Sequence, residues 1–192
     1  MKYGFDLDDT LADTASVINK YAIKFNKEYL NGNGDLQDIN NSKSYYYFAE
    51  GLNWNKENIA KFFEIYYLDI LKEVQIKPFV KETINKLKKE KNEVYIITAR
   101  RKREGEIVEK ITNEWLKDNG ILYDELFINI KEKSKIVNQL KIDIFIDDSY
   151  ENCIDVKTNT DAKVYMLSTK YNTGILDKQL ERINNIDELI SK

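Results

Sequence analysis

Tyr3-Gly4-Phe5-Asp6-Leu7-Asp8-Asp9-Thr10-Leu11 opens as a short apolar run and closes on three carboxylates within four positions. The run suits a buried strand, and no ordinary turn needs acid packed so densely beside one. Carboxylates gathered at the carboxyl end of a strand repel one another unless a cation or a proton neutralises them. The cluster therefore points to a bound metal. In a continuing strand Asp6 and Asp8 share a side, and a turn beginning at Asp8 would curl both around a common point. Hard oxygen ligands of this kind suit Mg²⁺.

Working outward, residues 2–6, 93–98, 125–129, 142–147 and 162–167 form five short apolar, often β-branched stretches that alternate with helical patterns. The alternation predicts an α/β fold, a doubly wound parallel sheet of about five strands. Residues 104–118 place Ile107, Val108, Ile111 and Trp115 on one helical face, and residues 79–88 do the same with Val80, Ile84 and Leu87. Pro78, the only proline, is expected to open the latter helix. No convincing strand lies between residues 14 and 77. That interval reads as an insertion, leaving residues 1–13 and 78–192 as the α/β core.

Within the insertion, Ile59, Phe62, Phe63, Tyr66, Tyr67, Ile70 and Leu71 keep the spacing of a long amphipathic helix, and Ile18, Tyr21, Ala22 and Phe25 mark a second. Asn31-Gly32-Asn33-Gly34 reads as a plain turn, because neither a P-loop lysine nor a following Ser or Thr accompanies it. Tyr45-Tyr46-Tyr47-Phe48, followed by Trp54, is an aromatic run that cannot all face inward from one element. One or two of these rings are expected to line a pocket.

Composition narrows the chemistry. The 192 residues suffice for one domain with a substantial insertion; 42% are hydrophobic, 33% are charged and the net charge is -3. No apolar run approaches the roughly 20 residues of a membrane span, and Asp6, Asp8 and Asp9 interrupt the place where a signal peptide would be apolar. Cys153 is the only cysteine, so an internal disulfide is impossible and a reducing cytoplasm is the expected setting. The acidic balance argues against binding a nucleic-acid polymer. Histidine is absent, which excludes a Ser-His-Asp triad, a Cys-His dyad and any histidine-bearing zinc site. Acid and base work falls to carboxylates, Lys, Tyr or Cys153, and Cys153 itself reads as a small apolar residue.

Three further features stand at predicted strand ends. Thr98 closes Val94-Tyr95-Ile96-Ile97-Thr98-Ala99-Arg100, Lys133 precedes a helix holding Ile136, Val137 and Leu140, and Asp147-Asp148 closes Ile142-Asp143-Ile144-Phe145-Ile146. An open parallel sheet delivers its carboxyl ends to one edge, where ligands bind, so these groups should meet Asp6 and Asp8. Taken singly, each has a plainer reading. Asp9 or Thr10 could cap a helix, Thr98 could be a strand-end hydroxyl, Asp147-Asp148 a turn and Lys133 a solvated lysine beside Lys131 and Lys135. Their joint order carries the argument.

In that order, Asp6-Leu7-Asp8-Asp9-Thr10, Thr98, Lys133 and Asp147-Asp148 resemble the four motifs of the haloacid dehalogenase-like phosphatase superfamily, over about residues 2–150. The insertion at 14–77 stands where that superfamily carries a helical cap on its Rossmann-like core. Ile97-Thr98-Ala99-Arg100, the Trp115-Leu116 helix and Ile146-Asp147-Asp148-Ser149 are most similar to the 5′-nucleotidase and 5′(3′)-deoxyribonucleotidase group. The resemblance implies Asp6 as a nucleophile forming an aspartyl-phosphate and Asp8 as acid and base, holding a proton near neutral pH with help from neighbouring carboxylates. It implies Mg²⁺ on the Asp6 side chain, the Asp8 carbonyl and Asp147, with Asp148 orienting that shell or holding Lys133. Thr98, the backbone near Ala99 and Lys133 would hold phosphate oxygens, with Lys135 the substitute for Lys133. Arg100 would reach a substrate phosphate or a cap carboxylate, the plainer alternative being a solvent-exposed arginine in Arg100-Arg101-Lys102-Arg103.

The implied substrate is a small phosphorylated metabolite, first a nucleoside or deoxynucleoside monophosphate stacked on Tyr45, Tyr46, Tyr47, Phe48 or Trp54. A sugar phosphate is the alternative within the same chemistry. A receiver-like phosphoacceptor or a binding-only module is the alternative of another class. Receiver domains place an acidic pair first and a separate acceptor Asp on a later strand, an order this chain does not follow. Residues 168–192 offer no residue-level argument.

Overall fold

The computed structural model describes residues 1–32, 42–43, 47–101 and 106–190. Along the chain come β1 (Lys2–Phe5), β2 (Ala12–Asp13), α1 (Thr14–Leu30), α2 (Tyr47–Gly51), α3 (Lys56–Glu73) and β3 (Gln75–Ile76). Then follow α4 (Val80–Lys89), β4 (Glu93–Ile97), α5 (Ile107–Asp118), β5 (Glu125–Phe127), α6 (Lys133–Leu140), β6 (Ile144–Asp147), α7 (Tyr150–Asn159), β7 (Lys163–Leu167), β8 (Glu181–Ile183) and a short 3₁₀ turn at Ile186–Ile190.

Six strands form one sheet in the order β5-β4-β1-β6-β7-β8, with every pair parallel. β1 is central: Gly4 stands opposite Tyr95 of β4 on one side and Phe145 of β6 on the other. A Cβ at Gly4 would come within 2.8 Å of Ile142 Cδ1, so a larger residue there would have to displace the Ile142 side chain. From β1 the chain builds outward through β4 and β5, then returns across β1 to build β6, β7 and β8. The carboxyl ends of β1, β4 and β6 therefore open the crevice that a reversal of strand order always leaves.

Successive strand residues face opposite layers. Val94 and Ile96 join the larger apolar cluster with Phe5, Ile84, Leu87, Trp115 and Leu116. Tyr95 and Ile97 join the cluster beneath α6 and α7, with Val137, Phe145, Cys153 and Val156. Burial on both faces explains why these strands read as continuous apolar runs. The larger cluster continues without a break into α1, α2 and α3 through Ile18, Phe25, Phe48, Phe62 and Tyr66.

α1 begins where Asp13 accepts the Ser16 N–H at 3.4 Å and ends where Asn31 turns left-handed at φ 52°. α3 begins where Asn55 accepts the Asn58 N–H at 2.9 Å. In both, a side-chain oxygen accepts an N–H that the helix N-terminus otherwise leaves without a partner.

Three features differ from the sequence expectation. The sheet has a sixth strand, β8, whose three residues Glu181-Arg182-Ile183 are two-thirds charged and sit on the edge, where no apolar alternation is needed. The interval 14–77 does hold a strand: β3 pairs antiparallel with β2, Ala12 opposite Ile76 and Asp13 opposite Gln75. Two-residue strands are too short to show a period. Pro78 does not sit in the first turn of α4; it precedes Phe79, which takes a left-handed φ of 65° and starts the helix at Val80 without a side-chain cap.

Asp124 ties three elements of the core. Its carboxylate accepts the Val94 N–H at 2.6 Å and the Lys88 ammonium at 2.6 Å. Burial alone would raise its pKa, but the bonds from Lys88 and Val94 outweigh that and hold it below the ordinary carboxylate value. A depressed folded pKa contributes stability above the unfolded value of about 4 and loses it as pH falls through the folded value. Asp124→Ala should therefore cost about 1 kcal/mol in urea unfolding at about pH 7, with the difference from the parent protein shrinking toward about pH 3. A pH-independent difference would contradict this assignment.

Candidate active site

The turn that follows β1 aims its acids. Asp6 keeps sheet register by donating its N–H to the Ile146 carbonyl at 2.9 Å. The Leu11 and Ala12 N–H groups then both return to the Leu7 carbonyl at 2.9 Å, and Asp9 takes the left-handed conformation, φ 60°, that closes the loop. Asp tolerates this region better than most residues. The turn puts Asp6 and Asp8 in the crevice, while the Asp9 carboxylate points back and accepts the Ala15 N–H at 2.6 Å in the first turn of α1. Burial raises the Asp9 pKa to about 7 despite the pull of Lys77.

Lys133, the first residue of α6, is buried and directs its ammonium between two carboxylates. It bonds Asp6 and lies 2.6 Å from Asp147 Oδ2. Burial opposes the charge on Lys133, but Asp147 and Asp6 overcome it and raise its pKa. The Asp6 carboxyl is itself pushed well above the usual range, first by burial and then, against the pull of Lys133, by Asp147, Asp148 and Asp8. Asp147 also accepts the Ser149 N–H at 2.8 Å and the Asn152 amide at 3.0 Å.

Asp8 has different company. Arg100 Nε and one terminal nitrogen reach its two oxygens at 2.9 and 2.8 Å, and the Thr14 hydroxyl donates at 2.7 Å. Arg100 is buried and its other terminal nitrogen bonds Thr112 Oγ1 at 3.1 Å. Burial would raise the Asp8 pKa, but Arg100 and Thr14 together lower it. Asp148, also buried, accepts the Thr10 hydroxyl at 2.8 Å and the Tyr171 hydroxyl. Burial, followed by Asp147 and Asp9, raises its carboxyl well above the usual range.

Asp6, Asp147 and Asp148 can each offer one oxygen within 4.8 Å of the others. Asp6, Asp8, Asp147 and Asp148 face the cations Lys133 and Arg100. These acids outnumber the two cations paired with them, an excess that a divalent ion bound among them would offset. The all-oxygen donor set fits Mg²⁺.

These groups floor a cleft of about 880 Å³ whose other wall is α3. Ile59, Ala60, Phe63 and Tyr67 line it, with Thr98 and Ala99 at the end of β4 and Lys56, Arg101 and Lys131 also in its lining. The Tyr67 hydroxyl accepts the Arg101 N–H at 3.1 Å, and burial with the nearby Asp8 raises its pKa to about 12.

The expected strand-end residues thus meet: Asp6, Asp8, Thr98, Ala99, Lys133, Asp147 and Asp148 lie around one cleft. Lys135 does not join them; it is exposed and pairs with Glu132 at 2.6 Å. Several expectations are corrected. Asp148 does not hold Lys133 but Thr10 and Tyr171. Arg100 is buried rather than solvent-exposed, and it grips Asp8, which reverses the effect expected of neighbouring acids on that carboxyl. Tyr47 and Phe48 do not line the pocket. Phe48 is fully buried against Trp54 and Phe62, and Tyr47 is stacked on Tyr171. Trp54 is buried too, its indole N–H on Asn26. Tyr45 and Tyr46 lie outside the described residues.

Among the described residues the aromatic rings that line the cleft are Phe63 and Tyr67, part of the α3 stripe that reads in sequence as core. The stripe is two columns wide: Phe62 and Tyr66 turn inward, while Ile59, Phe63 and Tyr67, four residues apart, turn to the cleft, whose lining Ile70 and Leu71 also reach. Thr14 and Asn152 carried no sequence signal beyond proximity to a motif, and Tyr171 carried none.

A carboxylate cluster at the switch point of a doubly wound sheet, with a buried lysine and a helical wall, defines a hydrolase of a particular kind. The family model for haloacid dehalogenase-like hydrolases matches residues 4–118, and the chain belongs to that family. A protein from Clostridium acetobutylicum named a nucleotidase is 31% identical over 145 residues, covering 75% of this chain and 72% of its own. A relative from Bacillus cereus, provisionally named a nucleotidase, is 28% identical over 201 residues and aligns with 100% of this chain and 99% of its own. Among solved structures, a haloacid dehalogenase-like hydrolase from Streptococcus pneumoniae superposes with a TM-score of 0.68 at 15% identity, covering 99% of this chain and 96% of that one.

Because Arg100 neutralises Asp8 in a largely buried pair, Arg100→Met should destabilise the protein by about 3 kcal/mol in urea unfolding. Adding Asp8→Asn should recover part of that loss, since the stranded charge is then gone. A double variant as unstable as the sum of the singles would rule out the pairing.

Proposed function

We propose that this chain is a Mg²⁺-dependent phosphomonoesterase that cleaves nucleoside or deoxynucleoside monophosphates through an aspartyl-phosphate on Asp6. The observation that carries the reading is the convergence of Asp6, Asp8, Thr98, Lys133 and Asp147 in one cleft. The name of the Clostridium acetobutylicum relative supports the nucleotide version. Residues 14–77 would act as the cap over a core of residues 1–13 and 78–192, in a cytoplasmic setting. Among the described residues no helix is long and apolar enough to cross a membrane.

In the first displacement an Asp6 oxygen attacks phosphorus, the ester P–O bond breaks and the leaving alkoxide takes a proton from Asp8. In the second, Asp8, now ionised, takes a proton from water, which attacks phosphorus and frees Asp6 and inorganic phosphate. With Arg100 on it, Asp8 is in the ionised form suited to this second step. Protonation for the first step requires Arg100 to withdraw, and the bound phosphate is an anion able to compete for that guanidinium. Lys133 and Thr98 would hold the oxygens on which negative charge gathers in the transition state. Asp6, Asp147 and the Asp8 carbonyl would hold Mg²⁺, which when bound offsets the phosphate charge.

The wall formed by Ile59, Ala60, Phe63 and Tyr67 is apolar and partly aromatic, a surface on which a base stacks better than a polar sugar does. Asp6→Asn should abolish hydrolysis of p-nitrophenyl phosphate with Mg²⁺, whereas equal rates in the two proteins would defeat the mechanism. Phe63→Ala should remove stacking worth about 1 to 3 kcal/mol, raising KM for a nucleoside monophosphate about fivefold or more while leaving that for ribose 5-phosphate unchanged. A panel in which sugar phosphates are hydrolysed as well as nucleotides would sink the nucleotide assignment and leave the phosphatase one standing.

A further inference from the structure

Asp148 is held from a direction the reaction does not use. Beyond β7, the segment Tyr171-Asn172-Thr173-Gly174 folds back across the carboxyl edge of the sheet. The Asn172 side-chain amide donates to the Asp148 carbonyl at 2.8 Å and the Leu167 carbonyl at 2.9 Å, so it ties the end of β6 to the end of β7. Its amide oxygen accepts the Thr169 N–H at 3.0 Å and Arg182 at 3.1 Å, and Arg182 also clamps the Asn172 and Ile175 carbonyls at 2.8 Å. A fully engaged, fully buried asparagine makes this loop a rigid fixture.

The neighbouring Tyr171 is buried and faces two ways. Its hydroxyl donates to Asp148 Oδ2, while its ring lies face-on to Tyr47 of α2, centroids 4.5 Å apart and planes within 2°. Tyr47 in turn donates its hydroxyl to Asn19 of α1 at 3.1 Å, and the Tyr171 carbonyl accepts the Ser42 N–H at 3.0 Å. One side chain thus joins a carboxylate of the metal-facing cluster to two helices of the insertion. Of the Asp148 side-chain bonds described, only the Thr10 hydroxyl would remain if the phenol were removed.

We infer that Tyr171 is a positioning residue: its hydroxyl fixes the orientation of Asp148 for cation binding, and its stack on Tyr47 makes that orientation depend on where the helical insertion sits. The inference rests on the Mg²⁺ site proposed above. A carboxylate beside a metal site that loses its orienting hydrogen bond costs typically about 10-fold or more in metal affinity, because its oxygens no longer hold the geometry the ion demands. Tyr171→Phe keeps the ring and the stack and removes only that bond.

The test is Mg²⁺ titration by calorimetry, paired with the rise in Tm on adding Mg²⁺, on the parent protein, Tyr171→Phe and Tyr47→Leu. Tyr171→Phe should bind Mg²⁺ about tenfold more weakly, show a smaller rise in Tm and regain its kcat at high Mg²⁺. Tyr47→Leu, which leaves the Tyr171 hydroxyl in place but removes its stacking partner and the tie to Asn19, should shift Mg²⁺ affinity in the same direction by less. Parent-like affinity in Tyr171→Phe would overturn the positioning role, and parent-like affinity in Tyr47→Leu would overturn its link to the insertion. If Tyr171→Phe fails to fold, the Tyr47→Leu titration decides the inference by itself. A parent protein that binds no Mg²⁺ would instead refute the metal site on which the inference rests.

Discussion

The buried ammonium of Lys133 between Asp6 and Asp147 is the contact on which the rest of this molecule depends. Three charged side chains leave water there, and only their mutual attraction offsets the several kcal/mol that burying each would cost. One lysine cannot balance the acids around it, since Asp8 and Asp148 stand in the same crevice. Arg100 takes charge of Asp8, and hydroxyls from Thr10 and Tyr171 take charge of Asp148. The site is thus a set of separately managed carboxylates rather than a uniform acidic patch, and separate management is what lets like residues hold different protonation states.

Topology makes that crowding possible. β1, β4 and β6 are adjacent in space though about ninety and fifty residues apart in sequence, and each delivers a polar side chain to the cleft at the same edge. The helices contribute from outside the sheet: α6 brings Lys133 in its first turn, α1 brings Thr14 and α5 brings Thr112 behind Arg100. None of these could be displaced by a residue's width without unpairing a charge that has no water to turn to.

The β1 turn, the strand-end Thr98 and the Asp147-Asp148 pair were legible in sequence because each combines a local apolar run with an abrupt change to polar side chains. Strands β2, β3 and β8 were not, since two or three residues carry no measurable period and edge strands need no apolar face. The α3 helix was legible but its orientation was not. A two-column apolar stripe does not say which column also lines a cleft, so nothing in sequence marked Phe63 and Tyr67 as cleft residues, while Tyr47 and Phe48, candidate pocket rings by sequence, are buried in packing. The Arg100–Asp8 pair spans ninety-two positions and the Tyr171–Asp148 bond twenty-three, and nothing local in sequence announces either.

The two-residue ribbon of β2 and β3 has a consequence for how such a molecule can diversify. The helical segment leaves the core at Asp13 and re-enters at Gln75, residues that are cross-strand partners. A segment whose two ends already touch can be lengthened, shortened or exchanged without changing the register of any strand in the main sheet. What a replacement must supply is an apolar underside for the shared core and a new wall for the cleft. The wall of the cleft and the carboxylates at its floor thus come from different parts of the chain, and the first can be rewritten while the second is kept.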